Sequence, residues 1–270
     1  MQRYIGIDGG SDMIINGRAI SSGKAEGEVL KLDESFSFLG GVNASTGELN
    51  VGKKGNISEK IFIFPQGKGS TVGSFVVYDL LVHGKAPLAL INRSAETIVT
   101  TGAVISSIPM VDGIDTDIFR DGDIVSVDGD KGTVEIKNVK CVDVVSSAIY
   151  SKGKILLLKR PSTARSYPDA RSLVAGKIEK DEAPKKAAVR EIMEETQIEV
   201  GSPDASYPIV YVREGNTLWV VHPFLYRLGD VVPILNKENV SYEWISPEDI
   251  GTDDTFVPLT RKVVLGMLGI

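Results

Sequence analysis

The sequence predicts two domains in tandem, a β-rich mixed domain followed by an α/β domain, and three observations carry that reading. At 270 residues the chain reaches the size at which a single hydrophobic core stops growing, while each half is large enough to bury its own. Up to about Val139, short runs rich in Val, Ile, Leu and Phe alternate with glycine turns. Beyond that point the pattern changes, and strand-like runs flank a helix-period segment from Pro184 to about Gln197.

Taken in order, Met13-Ile-Ile-Asn-Gly-Arg-Ala-Ile20 reads as the true start of the first domain. Met1–Asp12, with Gly-Gly-Ser near its end, is then an extension or an upstream start. Strand-like runs follow at Gly27–Leu32, Lys60–Phe64, Pro87–Ile91, Gly102–Ser106, Ile124–Asp128 and Gly132–Ile136. Asp121-Gly-Asp123 and Asp128-Gly-Asp130 mark turns, the second joining two strands as a hairpin. Asn138–Val142 is the junction, so that the domains span 13–139 and 140–270. In the second, Val144–Tyr150 and Ile155–Lys159 form a strand pair around Ser151-Lys-Gly-Lys154, and Leu218–Tyr226 is a further strand.

Composition narrows the function classes. Hydrophobic content of 42% and charged content of 24% are ordinary for a soluble globular protein. With 30 basic against 36 acidic residues, a net charge of −6 and no dense Lys/Arg cluster, neither nucleic acid nor an anionic membrane is expected as main partner. Apolar runs fall short of a membrane span, and the first twelve residues lack the apolar segment of a signal peptide. Cys141 is the only cysteine, which excludes an intrachain disulfide and zinc-finger spacing and fits a reducing cytoplasm. His83 and His222 are too few for a multi-histidine metal site.

The helix from Pro184 carries the sharpest chemistry. Pro184 suits its first turn, Ala187, Ala188, Val189, Ile192 and Met193 are its apolar residues, and Glu191, Glu194 and Glu195 fall on one face. Carboxylates so close repel by about 0.2–0.5 kcal/mol per i,i+4 pair on an open helix. A divalent cation turns that repulsion into a site of hard oxygens, the kind Mg²⁺ or Mn²⁺ prefers. The competing reading is a solvated acidic face.

The window from Gly176 to Ile198 resembles the Nudix box, Gly-x5-Glu-x7-Arg-Glu-U-x-Glu-Glu-x-Gly-U with U aliphatic. Gly176, Glu182, Arg190, Glu191, Ile192, Glu194, Glu195 and Ile198 match, and Gln197 stands where the family has Gly, which bears on the helix end rather than the ligands. Tyr242–Ile250 resembles the family's late strand followed by a helix start. The resemblance implies an α/β/α sandwich and a Mg²⁺-dependent hydrolase of a diphosphate linked to another moiety, X. Glu191, Glu194 and Glu195 would hold the metal, with Glu182 a fourth ligand through water. The metal would neutralise phosphate oxygens and lower the pKa of a water. The base is one of these carboxylates or Glu243. Arg190 would orient a glutamate, and Gly176 would permit a tight loop under the helix. Arg165, Tyr167 and Arg171 lie on the approach to that loop, as contacts to X or as surface and packing residues. Isopentenyl diphosphate isomerases share this fold but need a catalytic cysteine deep in the domain and a histidine-containing metal site. Cys141 at the domain entrance and one histidine in this half disfavour that chemistry. A diphosphate-sensing module without turnover is the non-enzymatic alternative.

In the first half the best constellation is Gln66-Gly-Lys-Gly-Ser70-Thr-Val-Gly-Ser74, entering a helical run Phe75–His83 that stops at Gly84. Gly67, Gly69 and Gly73 would let backbone approach an anion, the helix N-terminus would offer N–H groups, and Lys68 would add charge. A plain turn with Ser74 as N-cap is the competing reading. The spacing is not that of a Walker loop. Several segments together resemble the swivelling β/β/α domain of the aconitase X family. They are Asn16–Ile20 with Gly23–Gly27, Phe38–Asn43 with Thr46-Gly47, Gly67–Ser74, and Gly102–Asp112. In archaea this domain is similar to the small subunit of phosphomevalonate dehydratase, whose larger partner carries an iron–sulfur cluster. The resemblance implies that Ser70 is the proton acceptor, held as an alkoxide-like serine by backbone N–H donors, in dehydration of mevalonate 5-phosphate for isoprenoid synthesis. The Gly40–Gly47 loop would help form the substrate site. One cysteine cannot supply the thiolates of a cluster, so such activity requires the second polypeptide, and any cluster resides there. The fusion suggests an isoprenoid diphosphate as X; the alternatives are a nucleotide substrate of a housekeeping hydrolase with the swivel domain kept as a scaffold, or a swivel domain of a related hydroxy-acid dehydratase.

Overall fold

Two β-sheets organise the chain in the computed structural model, which describes residues 4–6 and 13–270. The segment Met1–Asp12, set apart in the sequence, otherwise lies outside the described residues. Contacts divide the chain into one unit of Met1–Cys141 with Arg213–Leu218 and another of Val142–Val212 with Trp219–Ile270.

The first unit runs β1 (Tyr4–Gly6), β2 (Met13–Asn16), β3 (Arg18–Ser21), β4 (Lys24–Lys31), the short turn α1 (Phe38–Gly41), β5 (Lys60–Gln66), α2 (Gly73–Val82), β6 (Ala89–Ser94), α3 (Thr97–Ile105), β7 (Met110–Asp112), β8 (Ile124–Asp128) and β9 (Thr133–Ile136). Its nine strands lie in the order β1-β2-β9-β8-β4-β5-β6-β7-β3. The centre, β4 to β7, is parallel: α2 and α3 supply the crossovers from β5 to β6 and from β6 to β7, and the long segment containing α1 supplies that from β4 to β5. The hairpin expected around Asp128-Gly-Asp130 joins β8 to β9, with Asp128 pairing Thr133. Between the sheet and the helices sits a core built on Phe36, Phe38, Phe62 and Phe64, whose ring centroids lie 4.9–6.3 Å apart.

One expected strand is a helix. Gly102–Ser106 reads as a β run, yet Thr97–Ile105 forms α3 and Ser106 its C-cap. The carboxylate of Glu96 accepts from the N–H groups of Ile98 and Val99 and so caps the helix start. Gly102 then lets α3 close on α2, since a Cβ there would meet Val77 at 2.9 Å. Capping and packing outweigh the β-branched residues of the segment.

The second unit runs β10 (Lys140–Ser151), β11 (Lys154–Lys159), β12 (Arg171–Ser172), β13 (Val174–Lys177), α4 (Pro184–Thr196), β14 (Ala205–Ser206), β15 (Val210–Glu214), β16 (Thr217–Arg227), β17 (Ser241–Ile245) and α5 (Thr260–Leu268). The continuous apolar run Ile155–Leu158 is what a strand buried on both faces needs. Leu156 and Leu158 pack with Ala187, Ala188 and Ile192 of α4, while Ile155 and Leu157 pack with Val263, Val264 and Met267 of α5. The result is an α/β/α sandwich. The helix expected directly after the late strand is a single 3-10 turn, Pro247–Asp249, and the full helix starts only at Thr260. Among the described residues, no helix is long and apolar enough to cross a membrane.

Candidate functional sites

The first site forms where α4 crosses β13. Gly176 lies in that strand, opposite Val145 of β10, and not in a loop as the sequence suggests. Its missing side chain matters because Glu191 rests directly on it. A Cβ at Gly176 would fall 1.9 Å from the Glu191 carboxyl carbon, which no packing tolerates. Helical spacing brings Glu191 and Glu195 onto the buried side of α4, at 9% and 5% exposure, whereas the Glu194 side chain stays 54% exposed.

Arg190 ties the acidic residues together. Its guanidinium donates from Nε and Nη2 to the two carboxylate oxygens of Glu182, each at 3.0 Å. Nη1 reaches Glu191 at 2.7 Å and Glu194 at 3.2 Å, and Nη2 also reaches the Lys177 carbonyl at 3.0 Å. Such charge-assisted contacts hold carboxylates in fixed orientations. With Arg190 and the Glu179 N–H beside it, the Glu182 carboxyl sits below the usual carboxylate range. Burial pushes Glu191 up despite Arg190. Burial, and then the charge of Glu191, push Glu195 up to about 8. Glu195 finds its support in Asn239, whose Nδ2 donates to Oε2 at 3.0 Å.

Among the described residues, no three His, Cys, Asp or Glu side chains converge as they stand into a metal-holding group. The reason is visible: Glu182, Glu191 and Glu194 direct oxygens at Arg190, and Glu195 directs one at Asn239. The donor chemistry nonetheless fits a hard divalent cation. Several carboxylates, two of them under a tenth exposed and held up in pKa by burial, gain most from one. Of the outlying candidates, Glu243 on β17 pairs with Arg171 at 3.2 Å, and Arg171 stacks on Phe256 at 4.0 Å. Arg165 is exposed, and Tyr167 adopts a left-handed φ of 49°. Gln197 also takes a left-handed conformation, φ 55°, and its N–H donates to the Met193 carbonyl at 2.9 Å, so the helix ends as a glycine would end it.

The second site is the Gly67–Ser74 loop at the start of α2. Its glycines serve packing more than ligand approach. A Cβ on buried Gly67 would strike Val99 at 2.5 Å, and one on buried Gly73 would press Ile98 at 3.1 Å. Only Gly69 is exposed, with φ +116°. The N–H groups of Gly73 and Ser74 are already taken by the carbonyls of Ser70 and Thr71, at 2.8 and 3.3 Å, which removes donors expected for an anion. Ser74 is no N-cap: it lies inside α2, buried, and its hydroxyl donates to the Thr71 carbonyl at 2.8 Å. Ser70 and Lys68 are exposed, and the Ser70 hydroxyl accepts one contact, from the Val72 N–H at 3.4 Å. In the Gly40–Gly47 loop, Asn43 Oδ1 accepts from the N–H groups of Ser45 and Thr46, a self-contained turn.

Residues 14–136 match the family model of the aconitase X swivel domain. Over this half, the phosphomevalonate dehydratase small subunit of Thermococcus sibiricus is 49% identical across 129 residues, covering 46% of this chain and 99% of that protein. That of Thermococcus kodakarensis is 52% identical across 128 residues, covering 46% and 96%. The chain belongs to the aconitase X swivel family. Residues 141–265 match the NUDIX domain model, so a Nudix domain follows the swivel domain in one chain. A solved MutT protein of Methanosarcina mazei Go1 is 26% identical to this chain, with a TM-score of 0.43, covering 47% of this chain and 91% of its own.

Within the Nudix half, two features escape the sequence. Asn239 stands 44 residues from the glutamate it supports, with no motif to mark it. The clearance at Gly176 depends on where α4 lands, although the glycine itself belongs to the motif.

Proposed function

We propose that the chain is bifunctional: a divalent-metal-dependent hydrolase of a diphosphate linked to another moiety, fused to a dehydratase small subunit that works with a separate iron–sulfur subunit. The observation that carries the hydrolase reading is the seat of Glu191 on Gly176 beside buried Glu195. Glu191, Glu194 and Glu195 are the residues to hold Mg²⁺ or Mn²⁺, with Glu182 behind them. A bound cation supplies Lewis acidity that neutralises diphosphate charge and makes water a better nucleophile. Arg190 orients Glu182 and Glu191 through its fork of donors, and Asn239 keeps Glu195 from turning away. One of these carboxylates, or Glu243, accepts the proton as water attacks phosphorus and the bridging P–O bond breaks.

The test is Mg²⁺-dependent hydrolysis of isopentenyl diphosphate, nucleoside di- and triphosphates and nucleotide sugars, with Glu195→Gln as control. Turnover abolished in the variant is the expected result and names the class of X. A preference for isopentenyl diphosphate supports a role in the isoprenoid route, and a preference for nucleotides a housekeeping one. The grip of Arg190 on three carboxylates favours one second reading, a diphosphate sensor, whose sign is binding without turnover.

For the swivel half, support comes from relatives called small subunits, of which this domain covers 99% and 96%. Ser70 is the proposed proton acceptor. Since its hydroxyl has one 3.4 Å N–H contact here, further donors must come from substrate or partner. Co-expression with the larger subunit of the same organism is expected to give a complex that dehydrates mevalonate 5-phosphate. A failure of both would remove this half of the proposal.

A further inference from the structure

Beside the acidic cluster lies a titratable pair that the hydrolase reading does not use. His222 of β16 meets the Asp143 carboxylate of β10, Nε2 to Oδ1, at 2.9 Å. Strand register places this pair. Val145 of β10 stands opposite Gly176, the glycine on which Glu191 rests, and packs with Ala187, Ala188 and Ile192 of α4. Side chains two apart on a strand share a face, so Asp143 lies on the same α4-facing side, one pleat repeat or about 7 Å from Val145. Phe224 and Tyr226, two and four residues beyond His222, pack into the same cluster as Val145. The sheet face opens to water at this end: Val145 is fully buried, whereas the Asp143 side chain is 34% and the His222 side chain 17% exposed. A carboxylate accepts hydrogen bonds and donates none, so the ring nitrogen facing Asp143 carries the proton. In the neutral imidazole Nδ1 is then an acceptor, and it has no partner among the described residues. The bond to Asp143 fixes both the tautomer and the direction of that acceptor.

We infer that His222, oriented by Asp143, selects the moiety X by accepting a hydrogen bond at Nδ1, so that X carries a hydroxyl or N–H donor, as a sugar or nucleobase does. The inference rests on the hydrolase reading above and narrows its substrate class. With the diphosphate over Glu191, a residue one pleat repeat away stands beside the group attached to it rather than beside the reacting phosphorus. An isoprenyl chain has no donor. It would strip water from a fixed acceptor and give nothing back, which is how hydrogen-bonding sites reject analogues that lack the matching group.

The experiment compares the full chain with His222→Gln and His222→Asn in Mg²⁺-dependent hydrolysis of UDP-glucose, ADP and isopentenyl diphosphate, with thermal melts to check folding. Glutamine keeps an N–H donor in place of Nε2, and with it the bond to Asp143, but has nothing in place of Nδ1. Asparagine does the reverse, since its Oδ1 takes the place of Nδ1. The expected result is a KM for the preferred nucleotide substrate at least tenfold higher in His222→Gln, with kcat within threefold, and recovery of most of that loss in His222→Asn. Wild type is expected to favour that nucleotide over isopentenyl diphosphate at least tenfold in kcat/KM, and this panel decides if neither variant folds. An unchanged KM in folded His222→Gln, or a preference for isopentenyl diphosphate, overturns the inference and leaves the hydrolase reading standing. Equal losses of stability and kcat in both variants mark the pair as a tie between strands and also overturn it. Where wild type hydrolyses none of the three, the hydrolase reading falls, and calorimetric binding of ADP with Mg²⁺ decides the inference alone. At least tenfold weaker binding by His222→Gln then upholds it, and equal or absent binding overturns it.

Discussion

The acidic cluster on α4 and the Ser70 loop before α2 are both glycine-containing motifs beside a helix, yet they are built differently. Around Glu191 and Glu195, every element is supplied from within the Nudix half: a glycine that clears room, a guanidinium spanning three carboxylates, and an asparagine behind the most buried one. Around Ser70, the glycines and helix-start N–H groups are spent on internal packing and turns, and the serine is left in the open with a single contact. A site whose groups are braced and partly buried is organised before substrate arrives. The Ser70 loop, exposed and with one contact to its hydroxyl, has no comparable bracing. The two halves thus differ in self-sufficiency rather than in the presence of a motif.

The contrast can be broken most directly at Gly176. Gly176→Ala puts a Cβ into the Glu191 carboxyl, so kcat/KM for Mg²⁺-dependent hydrolysis is expected to fall at least 100-fold, about 2.7 kcal/mol of transition-state stabilisation. Activity within threefold of wild type would show that the position of Glu191 is immaterial. Next comes Arg190→Ala, which leaves Glu182, Glu191 and Glu194 facing one another. Because the Arg190 side chain is a quarter exposed, the cost is set below that of a fully buried pair, at about 1–3 kcal/mol in urea unfolding. No change in the midpoint would mean the network is as dispensable as a surface pair.

A smaller effect, of opposite sign, is expected at the end of α4. Gln197 holds φ 55° without being glycine, and Gln197→Gly is expected to stabilise by about 1 kcal/mol, raising the thermal midpoint by a few degrees. A lowered midpoint would mean that contacts of the glutamine outweigh the backbone strain. The smallest change belongs to the other site. Ser70→Ala should shift stability by no more than about 0.5 kcal/mol, since the residue is exposed and weakly bonded, while dehydration by the complex with the larger subunit is lost. Retained dehydration would remove Ser70 from the chemistry and sharpen the difference between the halves further.

Much of the architecture was legible along the chain. The hairpin at Asp128–Asp130, the strands Ile155–Lys159 and Leu218–Tyr226, and the helix from Pro184 all follow from patterns only a few residues long, and local sterics and periodicity suffice to read them. The segment Gly102–Ser106 misleads for the same reason. Its β-branched composition is local, and so is the Glu96 cap, but the packing of Gly102 on Val77 of α2 that holds the segment helical is not.

The sequence by itself determined the pair of domain families, the residues of the acidic motif and their common helix. Only the tertiary structure separated buried Glu191 and Glu195 from open Glu194, placed Gly176 in a strand beneath a carboxylate, and brought in Asn239. Spacing along a helix sets which side chains share a face. Which face meets a strand, and which meets water, depends on contacts closed across tens of residues, and no local pattern carries that information.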